Sequence, residues 1–159
     1  MLTATRHHDF SYGHRVLGHE NKCKLLHGHN GRVTFVCAKN ETETDKIGRV
    51  IDFNVIKLTL CQWIEDNWDH KFLLYHNDPV SKAIFSSLND SYKNDTLKIW
   101  NDSIVLVPFN PTAENMAKFL VTNVGPKELK NRGVRLISCT IEETRKCSAT
   151  YRLSDDNKR

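Results

Sequence analysis

The chain begins with a stretch in which apolar and polar positions alternate, and the same pattern returns three times. Residues 3–13 carry Phe10 and Tyr12 two positions apart. Alternation with a period of two predicts strands that bury one face. The further segments with this pattern are 31–39, where Val33, Phe35 and Cys37 alternate, 134–141 and 147–153. The sequence therefore predicts four strands, two near each end of the chain.

Apolar residues recur at helical spacing in the middle of the chain. Over residues 53–67, the apolar stripe consists of Phe53, Ile56, Leu60, Trp63 and Ile64. Asp52 stands directly before this stripe, where its carboxylate can cap the first backbone N–H groups of a helix. The segment is therefore predicted to be an amphipathic helix.

A second helix is predicted after Pro111. Thr112 can cap it, and the charge of Glu114 suits the positive end of a helix dipole. Its apolar stripe consists of Met116, Phe119, Leu120 and Val124. Gly125 and Pro126 are typical of the residues that follow a helix, so we expect this helix to stop there.

The predicted order is strand, strand, helix, helix, strand, strand. Because strands and helices do not alternate regularly, this order favours an α+β fold, an antiparallel sheet with both helices on one face. We expect one domain over residues 1–153, with a polar turn at 40–48 and a polar surface excursion at 86–102. Residues 154–159 are expected to form a frayed tail.

Length and composition agree with a single soluble domain. The 159 residues are enough to bury a core without disulfides, and 39% hydrophobic against 26% charged residues is typical of globular proteins. The longest apolar runs have four residues, as in 104–107, which is too short for a membrane-spanning helix. The net charge of +4 is too small to indicate nucleic-acid binding.

Cysteine usage favours a reducing compartment. The five cysteines are odd in number and form no Cys-x-x-Cys pair, and residues 1–9 contain no apolar segment of the kind found in secretory signals. We therefore expect free thiols in a cytoplasmic protein. Three of them are predicted to be small core residues: Cys37, Cys61 and Cys139.

The pair His27 and His29 is the strongest local indication of chemistry. Residues two apart on a strand point to the same face, so two imidazoles can reach one ion. His14 ends the first predicted strand, and antiparallel pairing would bring it opposite this pair. Three imidazoles with an open fourth position are how a catalytic zinc is held. Iron or cobalt would also suit imidazole ligands.

Other interpretations of these histidines stay open. The His-Gly-His spacing can arise by coincidence, and Cys23 with His27 and His29 could instead form a structural site. The latter is disfavoured because no second Cys/His pair at zinc-finger spacing closes it. The remaining histidines near the N-terminus are expected to be plain surface residues: His7, His8 and His19.

Cys23 is a candidate acid–base group. With a metal ion and the neighbouring Lys22 and Lys24 close by, its thiol is expected to be partly ionised at neutral pH and able to act as a base or nucleophile. Asp69 and His70 form a second candidate, since a carboxylate that orients an imidazole makes a proton shuttle. Adjacent side chains need not touch, so an Asp-His dipeptide alone is a weak indication.

Two carboxylates follow the third predicted strand, at Glu142 and Glu143. A carboxylate can accept two hydrogen bonds from a planar amidine-like edge. Alternation along a strand sends neighbouring side chains to opposite faces, so at most one of the two points into a pocket. Solvated charges at a strand end are the alternative.

Six motifs occur together in this sequence: FSYGHR (10–15), CKLLHGH (23–29), VIDF (50–53), DHKFL (69–73), PTAEN (111–115) and ET (143–144). Their order resembles that of the 6-pyruvoyltetrahydropterin synthase superfamily over nearly the whole chain. The spacing from Cys23 to His27 is similar to the branch of 6-carboxy-5,6,7,8-tetrahydropterin synthases of queuosine and 7-deazaguanine synthesis. The chain departs from the family pattern at Gly13, at Lys24 and in a longer, polar segment over 77–110.

The resemblance implies a tunnelling fold, with a four-stranded antiparallel sheet, two helices on one face, and subunits that join their sheets into a barrel. A dimer of trimers with active sites between subunits is implied as well. By the same resemblance, Zn²⁺ is held by the metal ligands His14, His27 and His29. The implied catalytic groups are Cys23, Asp69 and His70. Glu143 would anchor the pterin edge with help from Thr112.

The implied reaction converts 7,8-dihydroneopterin triphosphate to 6-carboxy-5,6,7,8-tetrahydropterin, with release of acetaldehyde and triphosphate. No redox cofactor is needed, because the ring is reduced at the expense of the side chain. Three alternatives remain: elimination of triphosphate without carbon loss, as in a 6-pyruvoyltetrahydropterin synthase, cleavage to 6-hydroxymethylpterin, and a non-catalytic protein that binds zinc or pterin.

Overall fold

A sheet of six strands forms the centre of the computed structural model, which describes residues 1–39, 44–87 and 95–154. In chain order the strands are β1 Thr3–His14, β2 His27–Lys39, β3 Lys71–Tyr75, β4 Ile104–Val107, β5 Val134–Thr144 and β6 Cys147–Arg152. They lie in the order β4-β3-β1-β2-β5-β6. The four predicted strands are β1, β2, β5 and β6, and these four pair antiparallel with one another in that order.

The sheet differs from the expected four-stranded antiparallel sheet in two ways. It has six strands, and it is mixed. β3 pairs parallel with β1, and β4 pairs parallel with β3. Both added strands are short. β3 has five residues and is apolar after Lys71, and β4 has four residues, all of them apolar. Such runs carry no period-two signal, because apolar residues occupy successive positions and leave no polar positions to alternate with them.

Both predicted helices are present, and each contains a π-helical turn. The helices are α1 Phe53–Ile56, α2 Gln62–Asn67, α3 Pro79–Ser87, α4 Asp95–Ser103, α5 Ala113–Phe119 and α6 Gly125–Glu128. The π-helical turn Lys57–Cys61 joins α1 to α2, and a second one, Leu120–Val124, joins α5 to α6. The predicted caps are in place: Asp52 Oδ1 accepts from the Asn54 N–H at 2.8 Å, and Thr112 Oγ1 accepts from the Asn115 N–H at 3.2 Å.

The second helix does not stop at Gly125, contrary to the prediction. It continues through Gly125 and Pro126 to Glu128. A Cβ atom on Gly125 would lie 2.8 Å from Leu136 Cβ on β5, closer than real Cβ contacts. The glycine therefore serves the close approach of helix and sheet, and its αR backbone (φ −50°) carries no helix-ending turn.

The main core lies between one face of the sheet and the two π-containing helices. Phe10 and Phe35 from the strands pack there with Leu60, Met116 and Leu120 from the helices, all of them almost fully buried. Burying a side chain of this size contributes roughly 1.5–3 kcal/mol. The packing of both helices against one sheet face agrees with the α+β prediction.

The described part of the polar excursion is helical. Within 86–102 the structure has the end of α3 and most of α4, and α4 leads directly into β4. Residues 88–94 lie outside the described part, as do residues 40–43 of the predicted polar turn and residues 155–159 of the predicted tail. In the described ranges, no helix has the length and apolar character needed to cross a membrane.

Candidate active site

Three histidines meet where β1 and β2 pair beside the loop between them. His14 on β1 lies opposite His27 on β2, and Tyr12 lies opposite His29. β2 starts at His27, four residues earlier than predicted, which extends the alternation so that all three imidazoles share one face. The expected juxtaposition of His14 with the His27 and His29 pair is therefore present.

The donor atoms of these rings suit a metal ion. Their ligand nitrogens all lie within 4.8 Å of one another, and the Nε2 atoms of His14 and His29 are 3.2 Å apart. Two nitrogens bound tetrahedrally at the usual zinc distance of about 2.0–2.1 Å would be about 3.4 Å apart. Cys23 is not part of this cluster, which argues against a structural site built on its thiol.

Backbone carbonyls orient two of the rings. His14 Nδ1 lies 2.7 Å from the carbonyl oxygen of Pro111, and His27 Nδ1 lies 2.7 Å from that of Leu25. A carbonyl only accepts, so in both rings Nδ1 carries the proton and Nε2 presents its lone pair. This is the arrangement by which outer hydrogen bonds fix metal-binding histidines.

Burial keeps the central rings neutral. Burial, together with the neighbouring His27 and His29, lowers the pKa of His14 to about 4, although the Pro111 carbonyl acts in the other direction. Burial also lowers the pKa of His29, and the nearby Glu143 carboxylate partly offsets this effect. Neutral imidazoles are the form that binds metal ions, so His14 and His29 are in the binding form at neutral pH.

A cavity of about 250 Å³ opens beside His14. Its polar and ionisable lining consists of His14, His19, Cys23, Thr112, Glu114, Glu143, Cys147 and Ser148. Cys23 lies half-buried in a short 3₁₀ turn, Lys22–Lys24, whose two lysines are exposed. The cavity thus places the candidate thiol beside one candidate metal ligand and both candidate pterin contacts.

Glu143 and Glu142 take opposite faces of β5, as alternation predicts. Glu143 points toward the histidines, with its carboxylate oxygens 3.7 Å from His14 Nε2 and 4.0 Å from His29 Nε2. Glu142 instead lines a separate cavity of about 620 Å³, together with Arg32 and Arg145. One carboxylate of the pair therefore reaches the candidate site.

Asp69 and His70 contact each other, but they lie outside the cavity that contains Cys23. His70 Nδ1 is 2.6 Å from Asp69 Oδ2, and Asp69 Oδ1 accepts from the Ser11 N–H at 2.8 Å. Burial acts to raise the pKa of Asp69, but these hydrogen bonds outweigh it and the pKa is lowered. The His70 side chain is 81% exposed and lines the cavity on the other face of the sheet. Within one chain, the two candidate acid–base groups are therefore separate.

Two of the histidines expected on the plain surface have specific places. His19 lines the candidate cavity and accepts from the Asn21 N–H through Nδ1 at 2.9 Å. His8 pairs with Glu65 at 2.8 Å. Only the folding of the 15–21 loop and the packing of α2 on β1 create these neighbours, so no local pattern could have shown them. His7 is exposed, as expected.

The cysteines are all unpaired, as predicted, and three are buried. Burial raises the pKa of Cys37 to about 12, and also raises those of Cys61 and Cys139. Cys147 is exposed and lines the candidate cavity, a place that the sequence analysis did not assign to it. Tyr12 was also missed, although alternation puts it on the same face as His14; its ring centroid lies 5.2 Å from that of His14.

Comparison with known proteins places this site in a family context. The family model described as 6-pyruvoyl tetrahydropterin synthase matches residues 3–154. A protein of Rickettsia typhi named 6-carboxy-5,6,7,8-tetrahydropterin synthase is 36% identical over 147 residues, which cover 92% of this chain and 97% of that protein.

Two solved structures show a similar fold. An uncharacterised protein from Wolinella succinogenes superposes with a TM-score of 0.82 at 24% identity, covering 96% of this chain and 98% of that one. The Caenorhabditis elegans 6-pyruvoyl tetrahydropterin synthase superposes with a TM-score of 0.60 at 21% identity, covering 96% of each chain. With a family match over nearly its full length and a relative of this similarity, the chain belongs to the 6-pyruvoyl tetrahydropterin synthase family.

Proposed function

We propose that this chain is a zinc-dependent lyase that converts 7,8-dihydroneopterin triphosphate and one water to 6-carboxy-5,6,7,8-tetrahydropterin, acetaldehyde and triphosphate. The observation that carries the proposal is the lining of one cavity by His14, Cys23, Thr112 and Glu143. The name and the coverage of the Rickettsia typhi relative support this product.

His14, His27 and His29 would hold the metal through the three nitrogens that face one another. A bound zinc would supply Lewis-acid polarisation of a substrate oxygen. The protein residues have separate tasks. Glu143 accepts hydrogen bonds from the amino and N–H groups of the pterin edge, because an ionised carboxylate only accepts.

Cys23 is the candidate proton-transfer group that lines the same cavity as His14. A thiolate in this position removes a proton from a carbon of the substrate side chain and can return it to the ring. His70, oriented by Asp69, would carry the second proton transfer. His70 does not line the cavity that contains Cys23, which supports an active site that is completed by a second copy of the chain.

The size of the cavity supports the same arrangement. About 250 Å³ lies just below the roughly 300–1,000 Å³ typical of ligand pockets, and the substrate carries three phosphates besides its two rings. An oligomer that closes this cavity with a neighbouring subunit would supply the missing wall. We propose that the active sites lie between subunits of a homo-oligomer, arranged as a dimer of trimers.

The direct test is to incubate the protein with 7,8-dihydroneopterin triphosphate and to measure acetaldehyde and the pterin product. We expect acetaldehyde in equal amount to triphosphate, its loss after treatment with a chelator, and its recovery when Zn²⁺ is added. The Cys23→Ala variant should lose about a hundredfold or more in kcat, a loss typical of removing a general acid–base group.

Asn21→Ala is the matched control for that variant, because Asn21 precedes the same 3₁₀ turn and its side chain makes no capping hydrogen bond. It should retain activity. Formation of 6-pyruvoyltetrahydropterin without acetaldehyde would contradict the proposal in favour of the sister reaction, which the name of the matching family also supports. Release of 6-hydroxymethylpterin would indicate a side-chain cleavage, and pterin binding without any product would indicate a binding protein.

A further inference from the structure

Asn110 connects two loops that are far apart in the chain. Its side-chain oxygen accepts from the Leu17 N–H at 2.9 Å, and its side-chain nitrogen donates to the Leu17 carbonyl at 2.9 Å. One amide side chain thereby satisfies both polar groups of a residue 93 positions away. The pair of bonds fixes the orientation of the loop after β1 more strictly than a single bond would.

The loop held by Asn110 leads to the cavity thiol. The Val16 N–H, next to Leu17, donates to the carbonyl of Cys23 at 2.8 Å. Val16 and His19 from the same loop line the cavity. The position of Leu17 therefore sets where the turn that carries Cys23 can lie.

On its other side, Asn110 fixes the segment that contacts the metal ligand. Its backbone carbonyl accepts from the Thr112 N–H at 2.8 Å and from the Asn115 side chain at 2.9 Å. Pro111 lies between Asn110 and Thr112, and its carbonyl oxygen accepts from the Nδ1–H of His14 at 2.7 Å. The same residue thus also determines where the carbonyl that orients His14 stands.

We infer that Asn110 is a positioning residue that fixes His14, Cys23 and Thr112 relative to one another. It lines no part of the cavity itself and acts only through these hydrogen bonds. The roles of His14 and Cys23 rest on the proposed function, whereas the coupling between their positions rests on the contacts. Hydrogen bonds behind a metal ligand commonly change metal affinity or activity by 10–100-fold when they are removed.

The test compares Asn110→Ala and Asn110→Asp with the wild-type protein. The Asp side chain keeps the size of Asn and still accepts from the Leu17 N–H, but it cannot donate to the Leu17 carbonyl. Asn67→Ala is the matched control. The Asn67 side chain also donates to a backbone carbonyl, that of Trp63, at 2.8 Å, and Asn67 lies at the end of α2. Thermal unfolding of each protein measures how much stability the Asn110 variants and the Asn67→Ala control lose, so that a general loss of stability can be separated from the effect at the site.

Two readouts do not require turnover. The first is Zn²⁺ affinity, measured by competition with a chelating dye. The second is the rate at which iodoacetamide alkylates Cys23 in the metal-free protein, resolved from Cys147 by peptide mass spectrometry. Cys147 lies on β6, outside the hydrogen bonds of Asn110, and gives an internal reference in the same sample.

We expect both Asn110 variants to bind Zn²⁺ about tenfold more weakly than wild type, and their kcat to fall more than their KM rises. We also expect the ratio of Cys23 to Cys147 alkylation to change by about threefold or more. Asn67→Ala should leave all three quantities near wild type. Zn²⁺ affinity and alkylation ratio that stay within twofold of wild type in a folded Asn110→Asp protein would overturn the inference.

The outcomes separate this inference from the proposed function. If the wild-type protein forms no product from the pterin substrate, but the Asn110 variants lose Zn²⁺ affinity and change Cys23 reactivity, the proposed reaction fails and the positioning role stands. If the wild-type protein is active and the Asn110 variants match Asn67→Ala in every readout, the positioning role fails alone.

Discussion

At the scale of single residues, the site depends on a buried neutral imidazole. His14 is 1% exposed, hydrogen-bonded through Nδ1 to the Pro111 carbonyl, and surrounded by the rings of Tyr12, His27 and His29. A charged ring there would lie close to the other two histidines without full hydration, which is why its pKa is low. The same burial that prepares the ring for a metal ion makes the protein sensitive to acid.

We therefore predict that the metal-free protein loses stability as the pH falls from 6.5 to about 4. In this window the unfolded chain binds a proton at His14, which has an ordinary pKa of 6.5, whereas the folded chain does not until its pKa of about 4 is reached. The loss from this group is at most about 3.4 kcal/mol. Urea unfolding at several pH values measures it, and a His14→Gln variant should show a shallower pH dependence. Equal slopes for the two proteins would contradict the prediction.

At the scale of elements, two glycines lie where close packing leaves no room for a side chain. A Cβ atom on Gly31 would lie 2.9 Å from the Tyr12 ring, so this residue makes room for an aromatic side chain beside the histidines. On the helix side, Gly125 allows the join between α5 and α6 to rest directly against Leu136 of β5. In both cases the glycine determines the distance between neighbouring elements.

Gly125→Ala tests this view because helix propensity and packing predict opposite signs. In an exposed helix interior the change would stabilise the protein by about 1 kcal/mol. Here the new methyl group meets Leu136, so we expect the free energy of unfolding to fall by about 1–3 kcal/mol. Denaturant unfolding measures the sign. Asn123→Ala, at an exposed position in the preceding π-helical turn, is the control and should stay within about 0.5 kcal/mol of wild type. A stabilised Gly125→Ala protein would show that the helix can move away from the sheet freely.

At the scale of the whole molecule, the sheet separates two groups of acid–base residues. Cys23 and Glu143 line the cavity beside His14, while His70 and Glu142 line the cavity on the opposite sheet face. The exposed His70 side chain is free to approach another copy of the chain. A lyase that needs both groups would then have to assemble from more than one subunit.

This arrangement predicts that two inactive variants can restore activity together. Cys23→Ala and His70→Asn should each lose about a hundredfold or more in activity alone. Subunits refolded as a mixture should recover about a quarter of wild-type activity through sites that combine intact groups. Acetaldehyde release measures the recovery, and the two proteins mixed without subunit exchange are the control. If the refolded mixture forms hetero-oligomers but stays inactive, Cys23 and His70 do not share a site between subunits.

The sequence by itself determined the local elements and the side chains that share a face. Period-two alternation gave β1, β2, β5 and β6, caps at Asp52 and Thr112 gave the starts of both helices, and the His-Gly-His spacing gave two convergent rings. These features depend on neighbours a few residues apart, so they can be read from the chain directly. The family motifs led to the same candidate metal ligands and acid–base groups, and they added Glu143 and Thr112 as candidate pterin contacts.

Only the tertiary structure decided the rest, because it depends on contacts between distant segments. β3 and β4 are too short and too uniformly apolar to be predicted, and Gly125 looks like a helix end until Leu136 is seen against it. The places of His19 and Cys147 beside the cavity, and the link between Leu17 and Asn110 across 93 positions, arise from loops that meet only in the folded chain. The separation of His70 from Cys23 has the same origin, since which sheet face a loop residue joins is set by strand order and not by local pattern.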